Sequence, residues 1–578
     1  MALQFVLGSA GSGKSGYVFR KTVKEAQKNL KKNYYVVVPE QFTMQTQREL
    51  VRLQEKNSIM NIDVVSFQRL AYRIFDELGK TNMAVLEETG KNLVLRKVAE
   101  ERMDDLCVMQ GNMKKMGYIS EVKSLISELT QYNIDPDTLE TFIEEQNMPP
   151  AFSYKLQDIL TMYRGFRSAI SGMYITAEEV LEAFCDMAEE SKLLQDAVLV
   201  FDGFTGFTPV QNRLIGELLK VCDKIMLTVE IDRREDPFVY KHPYQLFALS
   251  KQMVTSLTEV AQEVRVEIDE PVWLCKNPPY RFKENPEMAF LEEELFRYSR
   301  RKYSGEKMRS ISLHEVHTPQ EEAQYVAEEI RRLVREEGYR YREIAVIASD
   351  LSTYADALEK ACDRYEIPVF MDHKKSILLN SFVEYLRSLL VMVEQNYTYE
   401  SVFRYLRTSL CGFTRDEVDR LENYCLALDL KGFKKWDQVW VRKTPMTTKE
   451  ELEELNHLRM RFVEKLTPLH TVLKKRKKTV KEITLAVYEY LVQEKIQEQL
   501  AELEQKFQED GELALAKEYA QIYRIVLELF DKFVELLGEE EIPLKEYCEL
   551  LDAGLEEAKV GVIPPSLDQV VIGDMERT

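Results

Sequence analysis

The stretch that most constrains the fold of this sequence begins at its eighth residue, Gly8-Ser9-Ala10-Gly11-Ser12-Gly13-Lys14-Ser15. It fits G-x-x-x-x-G-K-[ST], the loop whose backbone amides wrap a phosphate chain. It also lies where that mechanism requires. An apolar run over residues 3–7 precedes it, and a helical pattern over residues 14–30 follows. Gly8, Gly11 and Gly13 allow close backbone approach, and the helix N-terminus adds a field that favours anions. Ser12 is counted with them as a phosphate-cradling residue. Lys14 is expected to reach the β- and γ-phosphates, and Ser15 to hold Mg²⁺. A strand–loop–helix start of this kind calls for an α/β fold of the P-loop NTPase class with ATP and Mg²⁺ as ligands.

The next segments extend that pattern. Residues 34–38 (YYVVV) and 62–65 read as buried strands, and residues 42–54 and 67–78 as helices. Continuous β-branched strands between helices imply a parallel sheet covered on both faces. Residues 85–190 change to long amphipathic helices with almost no strand signal, before strands return at 197–201 and 224–230. A second α/β pattern starts near 310. Strands are expected over 310–316, 343–348 and 367–370, and helices over 319–336 and 354–365. Residues from 400 to 558 are mostly helical, Pro564 and Pro565 break the pattern, and a last strand is expected over 567–572.

This layout predicts two RecA-like parallel-sheet domains, the second incomplete, each with a large helical insertion. The expected boundaries are 1–80 plus 195–300 for the nucleotide-binding domain and 81–194 for its insertion. Residues 305–395 plus 560–578 form the partial second domain, and 396–559 its insertion. A final strand without a following helix suggests a fragment of a longer protein.

Composition narrows the function classes. The formal net charge of −20 lowers the expectation of nucleic-acid binding, because phosphate contacts need local cations. None of the eight cysteines forms a CxxC pair, and the six histidines lack metal-ligand spacing. The cysteines read as small buried hydrophobes in a reducing compartment. With no signal peptide and no membrane-length apolar run, a cytoplasmic location and no membrane partner are expected.

A second constellation, Val198-Leu199-Val200-Phe201-Asp202, is an apolar strand ending in an acid, as a magnesium ligand at a sheet's carboxyl end requires. The order of residues here resembles superfamily 1 helicases of the UvrD type. That resemblance carries the magnesium aspartate onto Asp202, and onto Gln211 the glutamine that follows such an aspartate. Where those helicases have a second acid, this chain has Gly203. Loss of a general base removes about 10²–10⁴ in rate, so the expectation is a site that binds ATP better than it hydrolyses it. The loops 37–43 (VVPEQFT) and 64–71 (VVSFQRLA) correspond to DNA-touching loops in the same helicases. There Gln41, Ser66 and Arg69 are the candidate DNA contacts, and Phe42, Phe67 and Leu70 read as core.

GSAGSGKS, VPEQFT, SFQRLAYRI, VFDGFTGFTPVQ, the stretch from YREIAVIASD to YEIPVFMD, and the terminal LDQVVIGD together resemble AddB (RexB-type) subunits of bacterial helicase–nucleases. The resemblance runs the whole chain in order. It implies an ATP-dependent helicase/exodeoxyribonuclease subunit that pairs with an AddA-like subunit and acts on single- and double-stranded DNA. The implied role is double-strand break end processing and recombinational repair with Chi scanning. The resemblance also implies an iron–sulfur nuclease domain beyond Thr578, to which no residue here is assigned. The competing readings are an active superfamily 1 helicase and a P-loop ATPase unrelated to DNA. Two basic stretches stand apart from these motifs. Residues 431–443 interleave cations with Trp436 and Trp440, and read first as a basic helix face with tryptophans in the core. Residues 474–478 (KKRKK) read as a solvated helix end.

Overall fold

The computed structural model of the chain describes residues 1–578 apart from 55–59, 81–83, 114, 147, 306–307, 372–374, 409, 445–446, 561–567 and 576–578. Two compact units divide it. The first comprises residues 1–87 and 124–315, the second 88–123 and 316–578.

The first unit is built on a parallel sheet. Its strands are β1 (Ala2–Gly8), β2 (Tyr34–Val37), β3 (Ile62–Val65), β4 (Val198–Phe201), β5 (Lys224–Glu230), β6 (Glu267–Ile268) and β7 (Val272–Trp273). The order is β3-β2-β4-β5-β1-β6, with β7 also on β1, and every pairing is parallel. The period-2 pleat sends alternate residues to opposite faces, and both faces are dry. Leu3, Phe5 and Leu7 join Tyr35, Leu199 and Leu227 on one side. Val6, Val36, Val200 and Met226 lie on the other. Helices α1 (Lys14–Lys28) and α2 (Thr43–Leu53) cover the second side with Val18, Phe19 and Leu50. Helices α3 (Phe67–Glu77), α4 (Pro209–Val221) and α5 (Ala248–Glu263) cover the first. Each fully buried apolar side chain contributes roughly 1.5–3 kcal/mol, so a strand buried on both faces needs an unbroken apolar run such as YYVVV.

The second unit holds a three-stranded parallel sheet, β8 (Ala345–Ala348), β9 (Val369–Met371) and β10 (Val570–Asp574), in the order β8-β10-β9. Helices α6 (Pro319–Glu336) and α7 (Leu351–Arg364) cover one face through Ala327, Ile330 and Cys362. Most of the remaining unit is a helical core organised around Phe382, Leu389, Trp436 and Phe462.

Four expectations are corrected here. Residues 310–316 form no strand and lie largely exposed, with Leu313 at 96%; among the described residues no neighbouring strand takes up their backbone hydrogen bonds. The helical stretch includes short strands, Ala84–Leu86 paired with Tyr174–Thr176, too brief to register as periodicity. Residues 88–123, expected within the first insertion, group with the second unit. There Leu93 enters the helical core, and Lys123 pairs with Glu88 at 2.9 Å and Glu557 at 3.5 Å. The expected burial holds for Cys185, Cys222, Cys362, Cys411 and Cys425, is partial for Cys548, and fails for Cys107 and Cys275, which are exposed. Pro564, Pro565 and Leu567 lie outside the described residues. Among those described, no helix is long and apolar enough to cross a membrane.

Candidate functional site

The site grows from the carboxyl end of β1. The strand stops at Gly8, the loop turns through Gly11 (φ 71°) and Gly13 (φ 92°), and α1 begins at Lys14. Gly13 is the N-cap, no side chain caps the helix, and its first turn carries no acid. Its first N–H groups are therefore open to an anion. Gly11 is required for a further reason. A Cβ there would stand 2.9 Å from Cβ of Arg281, whose N–H donates to the Gly11 carbonyl at 2.9 Å. The segment Tyr280–Phe282 thus lies against the loop. Ser12 Oγ is buried without a hydrogen-bond partner, an unsatisfied polar atom in the middle of the glycine loop.

Lys14 Nζ donates to the carbonyls of Gly8 at 3.0 Å and Ser9 at 2.9 Å. Burial pulls its ammonium below the usual lysine range, against the charges of Glu230, Asp202 and Glu292; Arg281 pushes the same way as burial. A cation held on two loop carbonyls and partly desolvated is poised for exchange onto phosphate oxygens. Ser15 Oγ donates to Asp202 Oδ1 at 3.0 Å, and Thr228 Oγ1 donates to the same oxygen at 2.6 Å. Burial lifts the Asp202 carboxyl above its ordinary range, while these two hydroxyls and Lys14 oppose the shift. Ser15 Oγ and Asp202 are hard oxygen donors already in contact, and they would suit a magnesium ion.

The parallel register produces this convergence. β5 lies between β1 and β4, so Thr228 on β5 stands opposite Val6 and beside the strand that ends in Asp202. Glu230 pairs with Gly8 and ends β5 at the loop. A cleft of about 1480 Å³ opens here, lined by residues 10–17, Asp202, Thr228 and Glu230, and also by Trp273, Tyr280 and Arg281. Sequence reasoning missed Thr228, Glu230, Tyr280 and Arg281. The available signal was a hydroxyl inside an apolar strand (KIMLTVE) and an acid at its end.

Other candidates fall elsewhere. Gln211 closes a capping box on α4: its Oε1 accepts from Thr208 N–H at 3.0 Å, and its own N–H donates to Thr208 Oγ1 at 3.3 Å. It does not line the cleft, so the structure gives it a helix-capping role. Ser66 is buried and caps α3, accepting from Arg69 N–H at 3.3 Å. Gln41 is exposed in the short 3-10 turn Glu40–Phe42 after β2, and Arg69 is exposed in the first turn of α3, facing Glu40 at 3.9 Å. Gly203 has φ 81°, and Phe67, Phe201, Phe204 and Phe207 pack ring against ring around its loop, with centroids 5.2 Å apart for Phe204 and Phe207. That cage is the physical content of the DGFTGFTP stretch.

The family model for the N-terminal region of AddB matches residues 5–292, and that for the UvrD-like helicase C-terminal domain matches residues 284–559. The chain is 40% identical over 584 residues to the B-type subunit of the ATP-dependent helicase/deoxyribonuclease of Lachnoclostridium phytofermentans, covering 100% of this chain and 51% of that protein. It is 32% identical to proteins of the same name from Clostridium novyi, covering 100% and 50%, and from Acetivibrio thermocellus, covering 100% and 51%. The chain thus spans about half the length of the curated relatives it matches.

Proposed function

Because the chain belongs to the AddB N-terminal family, we propose that its first unit is a RecA-like P-loop domain that binds Mg²⁺–ATP. The whole protein then acts on DNA ends as the B-type subunit of an ATP-dependent helicase/deoxyribonuclease. One observation carries the nucleotide reading: Lys14, Ser15, Asp202 and Thr228 converge in a single cleft, with Ser15 Oγ 3.0 Å from Asp202 Oδ1. The loop amides and Lys14 hold the β- and γ-phosphates, and Ser15 and Asp202 hold the magnesium ion. That ion neutralises phosphate charge when bound. Thr228 fixes the Asp202 carboxylate, and Arg281 adds positive charge over the loop.

Motor activity in this unit is weak, because Gly203 supplies no carboxylate to orient a water. Gln41 and Arg69 offer polar contacts to single-stranded DNA at the carboxyl edge of the sheet, and Ser66 supports them as the cap of α3. The implied setting is cytoplasmic double-strand break processing and recombinational repair beside an AddA-like partner, with scanning for Chi sequences in the unwound strand.

Titration of the chain with a fluorescent ATP analogue and Mg²⁺ tests the nucleotide reading. Lys14→Ala is expected to weaken binding about 10- to 100-fold, as loss of charge-assisted hydrogen bonds worth about 1.5–3 kcal/mol implies. Equal affinities for wild type and variant would sink the reading. Hydrolysis at ordinary helicase rates, abolished by Lys14→Ala, would instead make this an active motor.

A further inference from the structure

The second unit brings together two basic stretches that the sequence holds apart. Trp436 and Trp440 are 1% and 6% exposed, which removes them as base-stacking platforms. They anchor the 431–443 segment instead. Trp440 Nε1 donates to the Lys435 carbonyl at 2.9 Å, and its backbone N–H donates to Asn456 Oδ1 at 2.9 Å. Arg459 Nη1 donates to the Trp436 carbonyl at 2.7 Å. Asn456 and Arg459 belong to the long helix Lys449–Leu473. Near that helix's end, the His470 ring stacks on Phe433 at 3.7 Å and 12°, and the His470 carbonyl accepts from Lys474 N–H at 3.0 Å. The KKRKK run therefore begins one turn from the residue on which the KGFKKW segment rests. Burial, and after it the Lys474 charge, lowers the pKa of His470 against the opposing charge of Asp437.

With the tryptophans turned inward, Lys431, Lys434, Lys435, Arg442, Lys443, Lys474, Lys475, Arg476 and Lys477 are exposed. Acids lie beside them, including the run Glu539–Glu541, whose Glu540 carbonyl accepts from Val480 N–H at 2.9 Å. Asp429 pairs with Lys431 at 3.1 Å, Glu482 with Lys475 at 3.9 Å and Glu541 with Lys477 at 3.3 Å, and Asp437 is exposed nearby. Exposed pairs of this kind exchange readily for another anion. In a chain of net charge −20, so dense a run of cations is a local departure rather than general basicity.

We propose that this surface is a docking site for the phosphate backbone of double-stranded DNA. The inference rests on the reading that the whole protein works on DNA, but not on nucleotide binding by the first unit. Lysines act as point charges toward phosphate and read no sequence. Single-strand binders add exposed aromatics on which bases stack, and residues 431–443 expose none. The patch therefore suits the higher charge density of a duplex. Its platform is rigid, because it is pinned by two buried indoles and a ring stack.

The test is anisotropy of the full 578-residue chain with a labelled duplex and with the corresponding single strand across a salt series. The variant Lys434→Gln/Lys443→Gln/Lys474→Gln/Arg476→Gln is expected to lose about tenfold or more in duplex affinity at low salt and to flatten the log–log salt slope by about three. Single-strand affinity should fall less, and ATP-analogue affinity and the melting midpoint should stay at wild type. Swapping the same lysines to arginine and the arginine to lysine should retain duplex binding. Wild-type affinity and slope in the glutamine variant overturn the proposal while leaving the DNA reading intact. Failure of the wild type to bind duplex overturns both.

Discussion

Under the proposed nucleotide reading, Asp202 and Gly203, adjacent in sequence, divide binding from hydrolysis. Burial raises the Asp202 carboxyl pKa, yet magnesium ligation needs the ionised form. Mg²⁺–nucleotide affinity should therefore fall on acidification at a pH above the ordinary aspartate range, and Asp202→Asn should remove that step. A profile flat down to the ordinary aspartate range would contradict the geometry. Folding responds with the opposite sign. A raised acid pKa means the folded state binds the proton more tightly, so the penalty of the buried charge is full above that pKa and is relieved as pH falls through it. Asp202→Asn in the ligand-free protein should accordingly be neutral or stabilising at pH 7. Thr228→Val, which strips the carboxylate of one donor, should lower Mg²⁺–nucleotide affinity by about tenfold. At Gly203, φ 81° penalises any side chain by roughly 1–2 kcal/mol. Gly203→Glu should thus lower stability in denaturant unfolding without raising phosphate release. A stable, rapidly hydrolysing variant would show that the turn tolerates the acid after all.

Among the elements, α4 shows how a motif position acquires a different role. Its glutamine spacing matched a helicase pattern, but Thr208 and Gln211 bond reciprocally across the first turn. Gln211→Ala should destabilise the chain by about 1 kcal/mol, within the range for a lost cap, and leave nucleotide affinity unchanged. A measurable loss of affinity would return Gln211 to the cleft. The strand–glycine loop–helix geometry was legible in sequence because its determinants are local: glycines, a lysine and a hydroxyl at fixed spacing before a helix. Thr228 and Arg281 were not, because parallel pairing and the return of residues 277–282 over the loop are contacts between distant segments. Strand content over 310–316 was misread for a similar reason. A β pattern becomes a strand only when another strand accepts its hydrogen bonds.

For the molecule as a whole, the grouping of residues 88–123 with the second unit has a measurable consequence. Lys123 is nearly buried between Glu88 and Glu557, and Asn92 also donates to Glu557 at 3.4 Å. Removing one partner of a buried ion pair leaves the others uncompensated. Because both glutamates are partly exposed, Lys123→Met should cost about 2 kcal/mol, below the range for a fully buried pair. The loss should appear in the unfolding transition of the second unit, read by its tryptophans Trp436 and Trp440. If only the first unit's transition shifts, residues 88–123 belong with the first unit. The acid sensitivity of the same cluster has a definite sign. Burial alone would raise Glu88, but hydrogen bonds from Lys91 and Lys123 outweigh it and hold the carboxyl below its usual range. Its stabilisation is present above the usual glutamate pKa and lost as pH falls through the lowered one.

From sequence alone came the P-loop, the apolar strands buried on both faces, the acid closing β4 and the family resemblance, because each is written in neighbouring residues or a short period. Tertiary structure alone decided which strand stands between β1 and β4, that residues 88–123 change unit and that the 431–443 segment rests on the helix leading into the second basic run. These depend on pairing, ring stacking and buried charge between segments far apart in the chain, and local spacing does not encode them, whereas the Thr208–Gln211 cap is a three-residue spacing that local sequence does carry.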